Sequence, residues 1–223
     1  MMDYSAFKKE AEKVLGPMPE DMDSRFAALA GLYRSWNEKI NVISRKDIDN
    51  LYEHHVLHSL AIAAYLKEVL PAEFEAWLSG SVTVLDVGTG GGFPGIPLAI
   101  AFPKTHFVLC DSVGKKTIVA GAVAKALNLD NVEIVNARAE SLPQRFDYVV
   151  SRAVASLADF YPWVKGRFGR RILYLRGGDI ATEIGDMAGR YRLNTSKIGV
   201  WPVFGALSGE YFSEKWIVDI EKQ

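Results

Sequence analysis

Cysteine is nearly missing from this chain: Cys110 is the one thiol among 223 residues. No disulfide framework and no cysteine-based zinc site can be assembled within one copy, and a reducing, cytoplasmic setting is expected. Long apolar runs are missing as well. Nothing approaches about 18 consecutive apolar residues, so no membrane-spanning helix is expected. The opening residues, MMDYSAFKKEAEKVLG, mix charges and lack the apolar centre of a secretory signal. Nor is there an excess of either charge. A net formal charge of -1 excludes a histone-like or tail-driven nucleic-acid binder, while leaving room for an enzyme with a local basic patch. Internal repeats and low-complexity segments are absent.

Apolar side chains are plentiful. At 49% hydrophobic and 24% charged residues, the chain can bury a sizeable core. Two regions differ in pattern. Residues 1–80 show no strand. Phe26, Leu29, Tyr33, Trp36, Ile40 and Ile43 recur every three or four residues, the mark of one apolar helix face. Asp47 then stands where a helix cap is expected. Ile48, Leu51, His55, His58, Ile62, Tyr65 and Val69 repeat the spacing until Pro71 closes the segment. A further helix fits before residue 16. Residues 81–223 instead alternate short apolar runs with helix-length segments. The runs are 82–88, 105–111, 131–137, 146–153 and 171–177. Such alternation predicts βαβ units around a parallel sheet. At the end, 196–205 and 211–220, joined around Gly209, read as an antiparallel hairpin on the sheet edge. The predicted organisation is an N-terminal helical extension (1–80) followed by one compact α/β unit (81–223).

The sharpest motif is DVGTGGGFPGIP, Asp86 to Pro97, with five glycines between residues 88 and 97. It follows a strand and precedes a helix. Glycine lets main-chain N–H groups and a helix N-terminus approach a ligand closely. Two registers fit. Gly90, Gly92 and Gly95 give the GxGxxG of dinucleotide-binding folds. Asp86, Gly88, Gly90 and Gly92 give DxGxGxG, which resembles the first motif of class I S-adenosylmethionine (SAM) methyltransferases. Asp111 ends the next strand, 23 residues after Gly88. That is close to the roughly 20 expected of a ribose-binding acid; the plainer alternative is a helix cap. Arg138, Ala139 and Glu140 follow the third strand, and Ser151, Arg152 and Ala153 the fourth, where ligands meet doubly wound sheets. An ion-paired surface loop and a salt-bridged structural arginine are the competing readings. His54, His55 and His58 lack the acid of an HExxH site and lie partly on the apolar stripe, so no metal is expected. Charge is segregated: residues 138–176 carry a net +5 and residues 1–80 a net -4. A basic stretch beside the crevice would suit a phosphate backbone.

Together these residues resemble one family, the small-subunit ribosomal RNA guanine-N7 methyltransferases, also known as the RsmG or GidB family. The similarity is carried by WNEKINVISRKD (36–47), HHVLHSL (54–60), DVGTGGGFPGIPLAI (86–100), DSVGKK (111–116), RAE (138–140) and SRA (151–153), in the family's order over nearly the whole chain. This chain departs from the usual pattern at His54, His58 and Arg176. The resemblance implies a class I SAM-dependent methyltransferase fold, a Rossmann-like seven-stranded, mostly parallel sheet of order 3-2-1-4-5-7-6. It implies methyl transfer from SAM to N7 of a guanine in the 530 loop of 16S rRNA. Gly88, Thr89, Gly90, Phe93, Asp111, Ala139, Glu140 and Arg152 would form the cofactor site, with Asp111 on the ribose. Asn37, Lys115 and Arg176 would face RNA, and Arg152 and Asn37 are the candidates for a catalytic part. The implied partner is 16S rRNA or the small ribosomal subunit, and a monomer without metal or membrane attachment is expected.

Guanine N7 offers an in-plane lone pair and no proton, so the reaction needs no general base. Trp36, Phe93 and Trp163 are candidate walls for a base, although for the two tryptophans a core position is the simpler reading. Three other readings compete: a SAM-dependent methyltransferase of another substrate, an NAD-type oxidoreductase using Gly90, Gly92 and Gly95, and a non-catalytic SAM-binding RNA assembly factor.

Overall fold

The structure, a computed structural model, describes residues 2–223. Its centre is a seven-stranded sheet of order β3-β2-β1-β4-β5-β7-β6. The strands are β1 (Thr83–Val87), β2 (His106–Cys110), β3 (Val132–Val135), β4 (Phe146–Arg152), β5 (Phe168–Gly177), β6 (Ile198–Pro202) and β7 (Lys215–Glu221). The first five are parallel; β7 runs antiparallel to both β5 and β6. The strand order and the closing hairpin are those anticipated.

Side chains alternate across the pleat, so each strand feeds two cores. Leu85, Val108, Val149, Ile172 and Tyr174 pack on one face beneath α7 (Leu157–Val164) and α8 (Ile180–Tyr191). Val84, Phe107, Tyr148, Val150 and Leu173 pack on the other, beneath α5 (Gly95–Ala101), α6 (Gly114–Ala126) and the N-terminal helices. Those helices are α1 (Tyr4–Leu15), α2 (Glu20–Asn37), α3 (His58–Val69) and α4 (Pro71–Ser79). One apolar cluster runs from Phe7, Phe26 and Tyr33 through Phe93 and Ile96 to the sheet. The extension is therefore a lid of the sheet's own core.

Three details depart from the sequence reading. First, Pro71 does not merely end a helix. It opens α4 at the first helical position, where its missing N–H costs nothing, and α4 carries Trp77 into edge-to-face contact with Phe102, Phe107 and Tyr148. Second, residues 48–69 are not one regular helix. A 3-10 turn (Ile48–Asn50) leads into a π-helix (Leu51–Leu57) before α3 begins. Asp47 makes no side-chain cap there; its carboxylate serves the imidazoles of His54 and His55 instead. Third, most of the basic stretch does not reach the crevice. Arg170 pairs with Glu73 and Asp147, and Arg171 with Asp219 and Glu221. Arg145 and Arg167 donate to the carbonyls of Gly166 and Glu140. Arg145, Arg170 and Arg171 lie where β4 and β5 begin, at the opposite end of the sheet from the loops that follow the strands; Arg167 starts there too, but its side chain ends on the Glu140 carbonyl.

Candidate functional site

The strands β1, β2, β3 and β4 all end on one side, and the loops that follow them enclose a crevice of about 380 Å³. That lies in the range of small-molecule sites, about 300–1,000 Å³. Val87 and Gly88 contribute from the end of β1, Cys110 to Val113 from β2, and Ala137 to Glu140 from β3. Arg152, Ala153 and Val154 close it from β4, with Lys116 of α6 and Trp163 of α7 at its sides.

The glycine loop shapes this wall from behind. Gly88 has φ +67°, and a Cβ there would stand 2.5 Å from Val154 Cγ2. Backbone at such φ favours glycine. Asp86, fully buried below the loop, accepts from the Thr89 hydroxyl at 2.6 Å and the Gly95 N–H at 2.8 Å. Burial pushes its carboxyl up to about 7 despite those two bonds. A Cβ on Gly91 would stand 2.8 Å from Val42 Cγ2. That glycine admits the extension, whose Tyr33 hydroxyl donates to the Gly91 carbonyl at 2.8 Å.

Asp111 presents a carboxylate to the crevice while accepting from the Gly90 N–H at 2.9 Å and the Val113 N–H at 2.8 Å. The loop after β4 is held by Tyr174, whose hydroxyl accepts from the N–H groups of Val154 and Ala155 and donates to the Ala155 carbonyl. Ala153 sits at φ +48°, uncommon outside glycine. This turn carries the chain from β4 past the crevice into α7.

Arg152 is half-buried at the end of β4. It donates through one terminal nitrogen to the His54 carbonyl at 3.0 Å and through the other to His55 Nδ1 at 2.9 Å. Its guanidinium lies 5.2 Å from the Phe93 ring centroid, a cation–π distance. His55 Nε2 in turn lies 2.6 Å from Asp47, and His54 Nδ1 2.5 Å from the other oxygen of that carboxylate. Burial and the neighbouring Arg152 push the His55 imidazole down to about 4. Burial would raise Asp47, but hydrogen bonds from His54 and His55 prevail and hold it below the usual carboxylate range. His54 also stacks on Tyr211, with centroids 3.9 Å apart.

Of the residues singled out from sequence, Gly88, Asp111, Ala139, Glu140 and Arg152 line the crevice together. Thr89, Gly90 and Phe93 stand behind it. Thr89 is tied to Asp86, Gly90 to Asp111, and Phe93 lies between Tyr33, His55 and Arg152. Asn37 caps its own loop: its amide donates to the Ile43 carbonyl and accepts from the Val42 and Ile43 N–H groups. Lys115 is exposed on the first turn of α6. Arg176 is paired with Glu183, away from the crevice lining. Trp36 packs against the core, whereas Trp163 lines the crevice rather than the core alone. Lys116, Val113, Val154 and Tyr174 escaped the sequence reading. Lys116 stands beside Lys115 in DSVGKK, and that neighbour was the available signal. Among the described residues no group of three or more His, Cys, Asp or Glu side chains is placed to hold a metal ion, and no helix is long and apolar enough to cross a membrane.

A sequence profile described as "rRNA small subunit methyltransferase G" (GidB) matches residues 23–202. The chain is 44% identical over 216 residues to ribosomal RNA small subunit methyltransferase G of Porphyromonas gingivalis, covering 93% of this chain and 90% of that one. It is 49% identical over 179 residues to the protein of the same name from Bacteroides fragilis, covering 77% and 82%. In fold it is similar to magnesium protoporphyrin IX methyltransferase of Synechocystis, solved with bound SAM, at TM-score 0.53, with 13% identity, covering 100% of this chain and 99% of that one.

Proposed function

This chain belongs to the rRNA small subunit methyltransferase G family, and on that premise we propose that it transfers a methyl group from SAM to N7 of a guanine in the 530 loop of 16S rRNA. The observation that supports it is the crevice itself. Glycine loop, Asp111, Ala139–Glu140 and Arg152 converge from four strand ends within the stretch that the family shares.

The residues present fit SAM. The Gly88 wall is open only because no Cβ stands there, and the lining offers both carboxylates and cations to a ligand that carries both charges. Asp111 binds the ribose hydroxyls, and Glu140 with the Ala139 backbone meets the adenine. Arg152 has five N–H donors; two are engaged by His54 and His55, and others remain for the carboxylate of the cofactor's amino-acid end. SAM, when bound, supplies an electrophilic methyl group on sulfonium. The chain's own task is positioning, which contributes about 7–11 kcal/mol where reacting atoms are well aligned. A donor on guanine N7 would occupy the attacking lone pair. Arginine usually makes such a contact with guanine, and the bonds from Arg152 to His54 and His55 hold it toward the cofactor instead. The target base must leave its stack to reach the crevice.

RNA reaches the same side of the molecule. Lys39, Arg45, Lys46, Lys115 and Lys116 are exposed there, on the loop over the glycine turn and on the start of α6. Among the described residues none of them forms an ion pair, unlike the arginines at the far end of β4 and β5. Such cations suit phosphates. The test is methyl transfer from SAM to small subunits isolated from cells that lack the protein, with N7-methylguanosine located by borohydride–aniline cleavage. Cleavage at one guanine of the 530 loop, only after incubation with protein and SAM, is the expected result. Incorporation elsewhere, or none, overturns the assignment.

A further inference from the structure

His55 belongs to the extension, not to the sheet, and does not line the cofactor crevice. Yet it is the residue that connects the two. Its ring is bracketed by groups of opposite character: the Asp47 carboxylate 2.6 Å from Nε2, and the Arg152 guanidinium 2.9 Å from Nδ1. A guanidinium only donates and an ionised carboxylate only accepts. The bracket therefore selects one form of the imidazole, neutral, with its proton on Nε2 and its lone pair on Nδ1. The Phe93 ring lies 5.2 Å from both the His55 ring and the Arg152 guanidinium, so it borders both partners. The π-helical turn contributes to the arrangement. It brings the adjacent imidazoles of His54 and His55 onto the two oxygens of one carboxylate.

We propose that His55, its tautomer fixed by Asp47, is a positioning residue that holds the Arg152 guanidinium at the floor of the crevice and so sets affinity for the cofactor. The inference rests on the reading of Arg152 as a contact of SAM. His55 touches neither cofactor nor RNA; it acts through Arg152. Without it, the half-buried guanidinium loses an acceptor and turns toward whatever else can accept, the substrate base included.

Two substitutions separate its two bonds. His55→Asn places an amide oxygen where Nδ1 stands and keeps an acceptor for Arg152. His55→Gln reaches the Nε2 position, keeps a partner for Asp47 and leaves Arg152 without one. Binding of S-adenosylhomocysteine is measured by titration calorimetry for both, for Arg152→Ala and for the double variant His55→Gln/Arg152→Ala. Melting temperatures are recorded alongside, and Arg152→Lys replaces Arg152→Ala if the latter does not fold. His55→Gln is expected to weaken binding about tenfold, the scale of one lost hydrogen bond to a charged group. His55→Asn should stay close to wild type. In the Arg152→Ala background, His55→Gln should add nothing, because residues acting through one contact are not additive. Losses that multiply, or Asn and Gln variants that behave alike, overturn the proposal while leaving the Arg152 contact standing. Binding unchanged in Arg152→Ala removes that contact, and the proposal with it. A long-range 15N–1H spectrum of the wild-type protein gives a reading independent of any variant. The Nε2–H tautomer of His55 is expected, and an Nδ1–H tautomer overturns the proposal.

Discussion

The carboxylate of Asp111 and the backbone N–H of Gly90 are joined by a 2.9 Å hydrogen bond, which fastens the end of β2 to the glycine loop that follows β1. The same side chain accepts from Val113 N–H, so its orientation is set from two sides before any ligand arrives. Asp111→Asn keeps the volume and loses the charge. We expect affinity for S-adenosylhomocysteine to fall by about 1.5–3 kcal/mol, the worth of hydrogen bonds to a charged acceptor. Titration calorimetry checks it, and unchanged affinity would remove the ribose contact.

Two glycines of one loop separate strain from obstruction. Gly90 has φ +58° with open space where a Cβ would stand, while Gly88 has φ +67° and Val154 in the way. Gly90→Ala should cost about 1–2 kcal/mol of stability, the penalty of a left-handed residue with a Cβ. Gly88→Ala should cost more, and its methyl group with the displaced Val154 should abolish cofactor binding. Urea unfolding and calorimetry on both variants test this; equal effects on binding would show that the Gly88 wall does not face the cofactor.

Much of this was legible in the sequence, for a physical reason. Strands of a parallel sheet, buried on both faces, appear as short apolar runs, and a glycine-rich turn advertises the wall it forms. What escaped were relations between distant residues. Nothing near Arg170 or Arg171 in sequence announces Glu73, Asp219 or Glu221 as partners, so a paired set of arginines read as a basic patch. Asp47 looked like a cap because caps are local; its true partners are seven and eight residues on, across a 3-10 turn and within a π-helical one. Trp163 read as core because periodicity reports burial and not which cavity a half-buried ring borders.

Asn37 offers a case where role and location pull apart. Its amide makes three bonds to residues 42 and 43 and so shapes the loop bearing Lys39, Arg45 and Lys46. Asn37→Ala should lower stability by about 1–3 kcal/mol through the groups left unpaired and speed proteolysis within residues 38–47, with cofactor affinity unchanged. Loss of methyl transfer with stability and proteolysis at wild-type levels would instead give Asn37 a direct part in the reaction.

Asp86 gives the protein a signed pH dependence. Its carboxyl is raised by burial from 3.8 to about 7. The folded state thus holds the proton more tightly than the unfolded chain. Its stabilising contribution is complete below the unfolded value and is lost as pH rises through the folded one. Asp86→Asn removes this effect. The stability of the variant relative to wild type should rise between about pH 4 and 7, by on the order of 1–4 kcal/mol. Groups shared by both proteins, His55 among them, cancel in the difference. A difference flat across that range would mean that Asp86 stays ionised in the fold.

The contact between Gly91 and Val42 bears on how this architecture can change over evolution. A loop that shapes a cofactor wall on one side and seats a neighbouring segment on the other is answerable to both. Drift in residues 38–47 that enlarges Val42 is felt in the wall, and a side chain gained at position 91 is felt in the segment. On the proposed reading that the exposed cations Arg45 and Lys46, which do not line the crevice, meet RNA, recognition of a new RNA is open to change at those two positions and closed to wholesale exchange of the helices beneath them. On that reading, substrate choice is retuned one surface residue at a time and not by swapping modules.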